Sequence, residues 1–252
     1  MILCPYNISE VENVKRVCKM CTKFYGECVF PITIIDQWKK LVGKKKWKPE
    51  KSACKLANAW FNEQVNKQDI PQEIKGVLKN RFENVRMQFA SVEHKVYLDT
   101  KRAPSCSDIM IYAKANKKHL IIAVEGKDNE GFDKPVKNWL KLRKEGGNRL
   151  KFLCEIMNLK TNEVREIKYQ LLHRASSAIL EARKNGYENA ILLVHSFSQK
   201  NNHFENFQDF GKIMGIKAKI KLNTLYLSKK IENINFYMLW FNSNCKEWKV
   251  YE

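Results

Sequence analysis

The chain is poor in glycine and proline, with 10 and 6 among 252 residues. That excludes a collagen-like or Pro/Gly-rich low-complexity chain. No run of about 18 apolar residues occurs, so no membrane-spanning helix is expected. Residues 1–12 lack the charged-then-apolar layout of a secretion signal. The 8 cysteines could in principle pair. Without a secretion signal and at this length, reduced thiols in a cytoplasmic protein are the expectation. Acid is scarce as well: 27 Asp and Glu stand against 46 Lys and Arg, a formal charge of +19. Such an excess says nothing about fold, but it selects polyanionic partners. Nucleic acid comes first and an anionic membrane surface second, with a merely solvated basic surface as the alternative. The apolar fraction, 44%, is enough for a packed core and argues against disorder.

Apolar spacing divides the chain near residue 90. Before it the periodicity is helical. Ser9 and Glu12 form a capping box, and Gly26 suits the end of the helix that follows. Further helices are expected over 33–42, after Pro49, and after a cap at Asp69. Beyond it, 92–98, 108–113 and 119–127 read as strands. The last, HLIIAVEGK, is apolar on both faces, as a central strand is. KANKK (114–118) connects the last two as a hairpin. Helices over 148–157 and 167–184, a buried strand at 190–197, a short helix around Phe204, Phe207 and Phe210, and strands near 224–227 and 236–241 complete the reading. The expectation is a helical N-terminal subdomain, 1–90, packed on an α/β core, 91–252.

The constellation with chemical meaning is Asp108 followed by Glu125-Gly126-Lys127. Side chains two apart on a strand share a face, so Glu125 and Lys127 project together from a strand end. In the hairpin, Asp108 comes beside them. Two carboxylates and an ammonium then meet at one sheet edge. Carboxylate oxygens suit Mg²⁺, which binds few protein groups besides water and phosphate oxygens. With Lys127 to orient a water, that set suits phosphodiester hydrolysis. The alternative is an exposed strand end whose charges only solubilise it.

At these residues the sequence resembles the PD-(D/E)XK, or restriction-endonuclease-like, nuclease superfamily. Asp108 matches its first acidic position, and Glu125 and Lys127 match its ExK pair. Ser107 stands where that pattern has proline, and Pro104 lies three residues further back. A broader likeness, to a group of bacterial proteins with this core, rests on WKPEKSACKLANAW (47–60), EHKVYL (93–98), PSCSD (104–108), IAVEGKDNEGF (122–132) and YQLLHRASSAI (169–179). It spans about residues 40 to 215. The resemblance implies an α/β (α+β) fold with a mixed central sheet flanked by helices. It implies Mg²⁺, with Mn²⁺ as a substitute, held by Asp108, Glu125 and an upstream acid. Glu93 is the candidate for that acid; its alternative is a surface pairing with Lys95 or Arg102. Gln170 would be a polar group supplied to the site by the following helix. Arg174 shares a helix face with it and would stabilise phosphate charge or only hydrogen-bond between helices. The implied activity is a DNA endonuclease of restriction or defence type, acting on double-stranded DNA and possible as a homodimer. Alternatives are a non-catalytic nucleic-acid binder and a repair or RNA-directed nuclease on the same core.

The DNA-contact candidates are Lys44, Lys45, Lys46, Arg102 and Arg174. GKKKWKP (43–49) reads equally as a solvated loop. Trp38, Trp47 and Trp248 lie among lysines and are read as packing. Asp128 and Glu130 are expected as loop charges, and His119 as an exposed turn residue. His173 and His195 are expected beside the site or in the core. Cys18-Lys-Met-Cys21 is the one CxxC. Zinc there is disfavoured, because both thiols fall at core spacing within the expected helix.

Overall fold

A computed structural model describes residues 23–26, 30–62, 69–98, 103–143 and 146–244. The strands are β1 (Phe24–Tyr25), β2 (Val85–Val96), β3 (Ser105–Ala115), β4 (Lys118–Lys127), β5 (Asn189–Ser196), β6 (Leu225–Ile231) and β7 (Ile234–Asn242). The helices are α1 (Ile35–Val42), α2 (Ser52–Asn62), α3 (Gln72–Lys79), α4 (Val136–Lys141), α5 (Gly146–Ile156), α6 (Tyr169–Lys184) and α7 (Phe204–Ile213). The fold is mixed α/β: one seven-stranded sheet, in the order β1-β2-β3-β4-β5-β7-β6, flanked by helices. β1–β2, β4–β5 and β5–β7 are parallel, whereas β2–β3, β3–β4 and β6–β7 are antiparallel.

The central strands alternate between two apolar layers. Leu120, Ile122 and Val124 of β4 pack with Leu56, Trp60 and Ile74 from α2 and α3. Ile121 and Ala123 face the other way, onto Leu171, Ala175 and Ala178 of α6. Both faces being covered explains why these strands read as continuous apolar runs. The alanines of α6 keep little bulk between helix and sheet. No helix among the described residues is long and apolar enough to cross a membrane.

Several expectations change. The N-terminal part is not wholly helical. Phe24 and Tyr25 pair with Ala90 and Ser91, so Gly26 follows a strand instead of ending a helix. Residue 90, the expected division, lies inside β2. The Ser9 capping box and Cys18/Cys21 lie outside the described residues. Asp69 does not cap α3, whose N-cap is Pro71. Its Oδ1 accepts the backbone N–H groups of Ile70 and Met87, both at 2.8 Å, tying this segment to β2. The β3–β4 turn is only Asn116-Lys117, with Asn116 at φ 50°. A left-handed residue matches the twist of so tight a hairpin. His119 is therefore in β4 and half-buried against Tyr187, instead of exposed in a turn. The helix α4 was not anticipated.

Candidate active site

The site forms where β3 and β4 part. They pair from Ala115↔Lys118 to Ile109↔Val124. Beyond that point β3 continues its ladder only with β2, to Val96↔Ser105, and β4 only with β5, to Lys127↔Ser196. Where the ladder stops, the Asp108 carboxylate accepts the Gly126 N–H through Oδ2 at 2.8 Å. A side chain thus satisfies a donor that the open ladder leaves behind. A Cβ on Gly126 would come within 3.2 Å of Leu56 Cδ2, which would have to shift by a few tenths of an ångström, and 3.4 Å of Asp108 Oδ2, an ordinary contact.

Glu125 is buried and receives three donors. Lys127 Nζ donates to Oε1 at 2.9 Å, Gln170 Nε2 to Oε1 at 2.6 Å, and Arg174 Nε to Oε2 at 2.5 Å. Burial alone would raise its pKa; Arg174 and then Lys127 outweigh that and hold it down at about 2. Lys127 also donates to Gln170 Oε1 at 3.1 Å and lies 4.9 Å from the centroid of the Phe132 ring.

Asp108 has the opposite environment. Burial, then the charges of Glu125 and Glu93, push it up to about 8 against the pull of Arg174 and the Gly126 N–H. Its Oδ1 has no protein donor among the described residues. Glu93 sits between the pairs Val92↔Ile109 and His94↔Ser107, opposite Asp108, at φ 50°. A non-glycine residue there stores backbone strain of about 1–3 kcal/mol, and such strain gathers at functional sites. Burial raises its pKa too, opposed first by the charge of Lys46. The thiol of Cys106 donates to Glu93 Oε2 at 3.3 Å. Burial, then Glu93, push that thiol up to about 12, so it is an inert donor.

Asp108, Glu125, Lys127, Gln170 and Arg174 are thus brought together, with Glu93 alongside. Arg174 is buried and its Nε donates to Glu125, a protein contact of the kind that stood as the alternative to phosphate stabilisation, made here to a strand and not to a helix. Lys44, Lys45 and Lys46 are exposed on the turn after α1, and the charge of Lys46 reaches Glu93. Arg102 lies outside the described residues. Asp128 is not a loop charge in solvent. It is buried and accepts Lys55 Nζ at 2.6 Å, while Glu130 accepts the Ser52 N–H at 3.3 Å. These bonds fasten the start of α2 to the segment after β4.

Sequence reasoning missed Ser105. Its Oγ accepts Arg174 Nη1 at 3.0 Å and lies 2.9 Å from His173 Nδ1. Burial, then Arg174, keep His173 well below its ordinary pKa, hence neutral. Arg174 Nη1, which can only donate, also reaches His173 Nδ1 at 3.3 Å, so Nδ1 is an acceptor. The Ser105 hydroxyl donates to it as well, and the proton of the neutral imidazole is assigned to Nε2. No spacing in the sequence signals this contact. His195 is structural: Trp60 Nε1 donates to its Nδ1 at 2.9 Å, and burial pushes its pKa down to about 3.

The raised Asp108 pKa makes stability depend on pH. The folded state keeps this proton to about pH 8, whereas an ordinary aspartate releases it near 4. The group's stabilising contribution is complete below about pH 4 and is lost as pH rises through 8. Urea unfolding of Asp108→Asn beside the wild type reads this. The stability of the wild type relative to the variant should fall between pH 5 and 8 by up to about 1.4 kcal/mol per pH unit. Parallel pH profiles would contradict the assigned environment.

The model of a family described as a domain of unknown function, DUF6946, matches residues 31–245, most of the chain. Searches of the curated proteins and of the solved structures gave no match.

Proposed function

The chain belongs to the DUF6946 family, and we propose that it is a metal-dependent DNA nuclease of the PD-(D/E)XK kind, of restriction or defence type. The observation that carries this is the pair of unlike carboxylates, Asp108 and Glu125, meeting beside Lys127 in the split between β3 and β4. Asp108 is short of positive charge, and a divalent cation answers that shortage. No group of three His, Cys, Asp or Glu side chains closes around a metal among the described residues. Mg²⁺ commonly takes only one or two carboxylates with water and phosphate oxygens, so Asp108 and Glu125 fit it. Asp108 Oδ1 is open, and Glu125 Oε2 accepts only Arg174, which leaves it a lone pair. Glu93 lies near enough to add charge.

A cation held there would supply positive charge against the phosphate and acidify a water. The protein's own groups do the rest. Glu125 stays ionised because Arg174 and Lys127 hold it so. Lys127 spends two of its three donors, on Glu125 and Gln170, and keeps one for the attacking water or a phosphate oxygen. Gln170 fixes both neighbours, accepting from one and donating to the other. The charge of +19 and the exposed Lys44, Lys45 and Lys46 supply attraction for the DNA backbone.

Incubation with supercoiled plasmid tests this. The expected result is nicked or linear product with Mg²⁺ or Mn²⁺ and none with EDTA. Tight, salt-sensitive binding with no cleavage in either metal contradicts the enzyme and leaves a nucleic-acid binder. Cleavage of RNA alone contradicts the DNA assignment.

A further inference from the structure

Beside Glu125 lies a cleft of about 350 Å³ whose walls include Ser105, Arg149, Tyr169, Gln170, His173 and Arg174. Two of these are arginines more than nine-tenths buried. Arg149 is anchored by Nη1, which donates to the Ala103 carbonyl at 3.0 Å. Arg174 spends Nε on Glu125 and Nη1 on Ser105, while its Nη2 has no protein acceptor among the described residues. His173, with Nδ1 engaged by Ser105, has a proton on Nε2 to donate. Tyr169 and Gln170 open α6, so the positive end of that helix dipole is at the wall. The ring of Tyr169 is stacked on Trp139 at 3.8 Å, which fixes this side of the cleft. The one acid among the lining residues, Asp133, is exposed.

We infer that the cleft is a phosphate subsite, in which Arg149, Arg174 and His173 hold a phosphate of the nucleic-acid strand next to the one being cleaved. The inference rests on the nuclease reading of the adjoining carboxylates. Planar guanidinium forks recognise phosphate oxygens, and buried ones do so with little competition from water. Because Arg174 also neutralises Glu125, an anion in the cleft does not meet a bare carboxylate. One side chain thereby joins the subsite to the cutting site.

The test titrates inorganic phosphate into the metal-free chain and follows the His173 imidazole by NMR. Wild type should show a saturable shift, with Asp108→Asn binding at least as tightly. Arg149→Gln should bind about 10–100-fold more weakly. Arg149→Lys, which keeps the charge but loses the fork, should fall between them and covers the case in which the glutamine variant does not fold. No shift at His173, or unchanged affinity in both Arg149 variants, overturns the subsite even if plasmid is cut. Phosphate binding with no cleavage in any metal supports the anion site and overturns the nuclease reading beneath it. Competition by oligonucleotides identifies the phosphate. A 5′-phosphorylated end that competes about tenfold better than a 5′-hydroxyl end assigns a terminal phosphate; equal competition assigns one of the backbone.

Discussion

Lys127→Met should slow Mg²⁺-dependent plasmid cleavage by about 10²–10⁴-fold, the usual worth of a positioned group acting on the reacting water or its proton. Methionine keeps most of the stem and its packing near Phe132, so the loss is chiefly that of the ammonium. Glu125 still has Gln170 and Arg174 and stays ionised. The measurement is the rate of disappearance of supercoiled plasmid at saturating Mg²⁺, with circular dichroism as the control for folding. A rate within about threefold of wild type would remove Lys127 from the chemistry, since a positioned group is worth far more.

The second large effect is on stability. Arg174→Met should cost about 3–5 kcal/mol, the penalty for stranding one member of a buried ion pair. Arg174 and Glu125 are both buried, and the pair is joined at 2.5 Å. Lys127 remains close to Glu125 and keeps the loss toward the lower end. Combining the change with Glu125→Gln should recover much of it, because a neutral amide tolerates burial better than an unpaired carboxylate. Urea denaturation of the two single variants and the double variant measures the coupling. Additive losses would mean that the two side chains do not depend on each other.

How far the sequence reveals this site follows from which contacts are local. Glu125 and Lys127 share a face through the strand repeat of two, and the hairpin brings Asp108 opposite them. Both relations were legible because they depend on backbone periodicity. The approach of α6 was legible only as a likeness: Gln170 and Arg174 lie four apart, but nothing in the spacing tells that Arg174 meets Glu125. Ser105 and Cys106 stand within PSCSD and Lys46 within GKKKWKP, but their contacts at the site come from tertiary packing that no spacing signals. Asp128 misleads for the same reason, since its partner Lys55 belongs to a distant helix. The apolar run of β4 announced a central strand and that of β5 a buried one, and both stand inside the sheet. β1 and the early start of β2 did not stand out, because two residues show no period and the first residues of β2 adjoin a helix. The left-handed backbone at Glu93 had no signal at all, as glutamate is not a residue that favours it.

The central claim is that Asp108 and Glu125 hold a divalent cation at the mouth of the split sheet. Mn²⁺ titrated into the metal-free protein at pH 8, with the free ion followed by electron paramagnetic resonance, tests it directly. One saturable Mn²⁺ per chain, displaced by Mg²⁺ and abolished in Asp108→Asn, is the predicted result. Binding of equal strength in Asp108→Asn, or no saturable binding in the wild type, would contradict it.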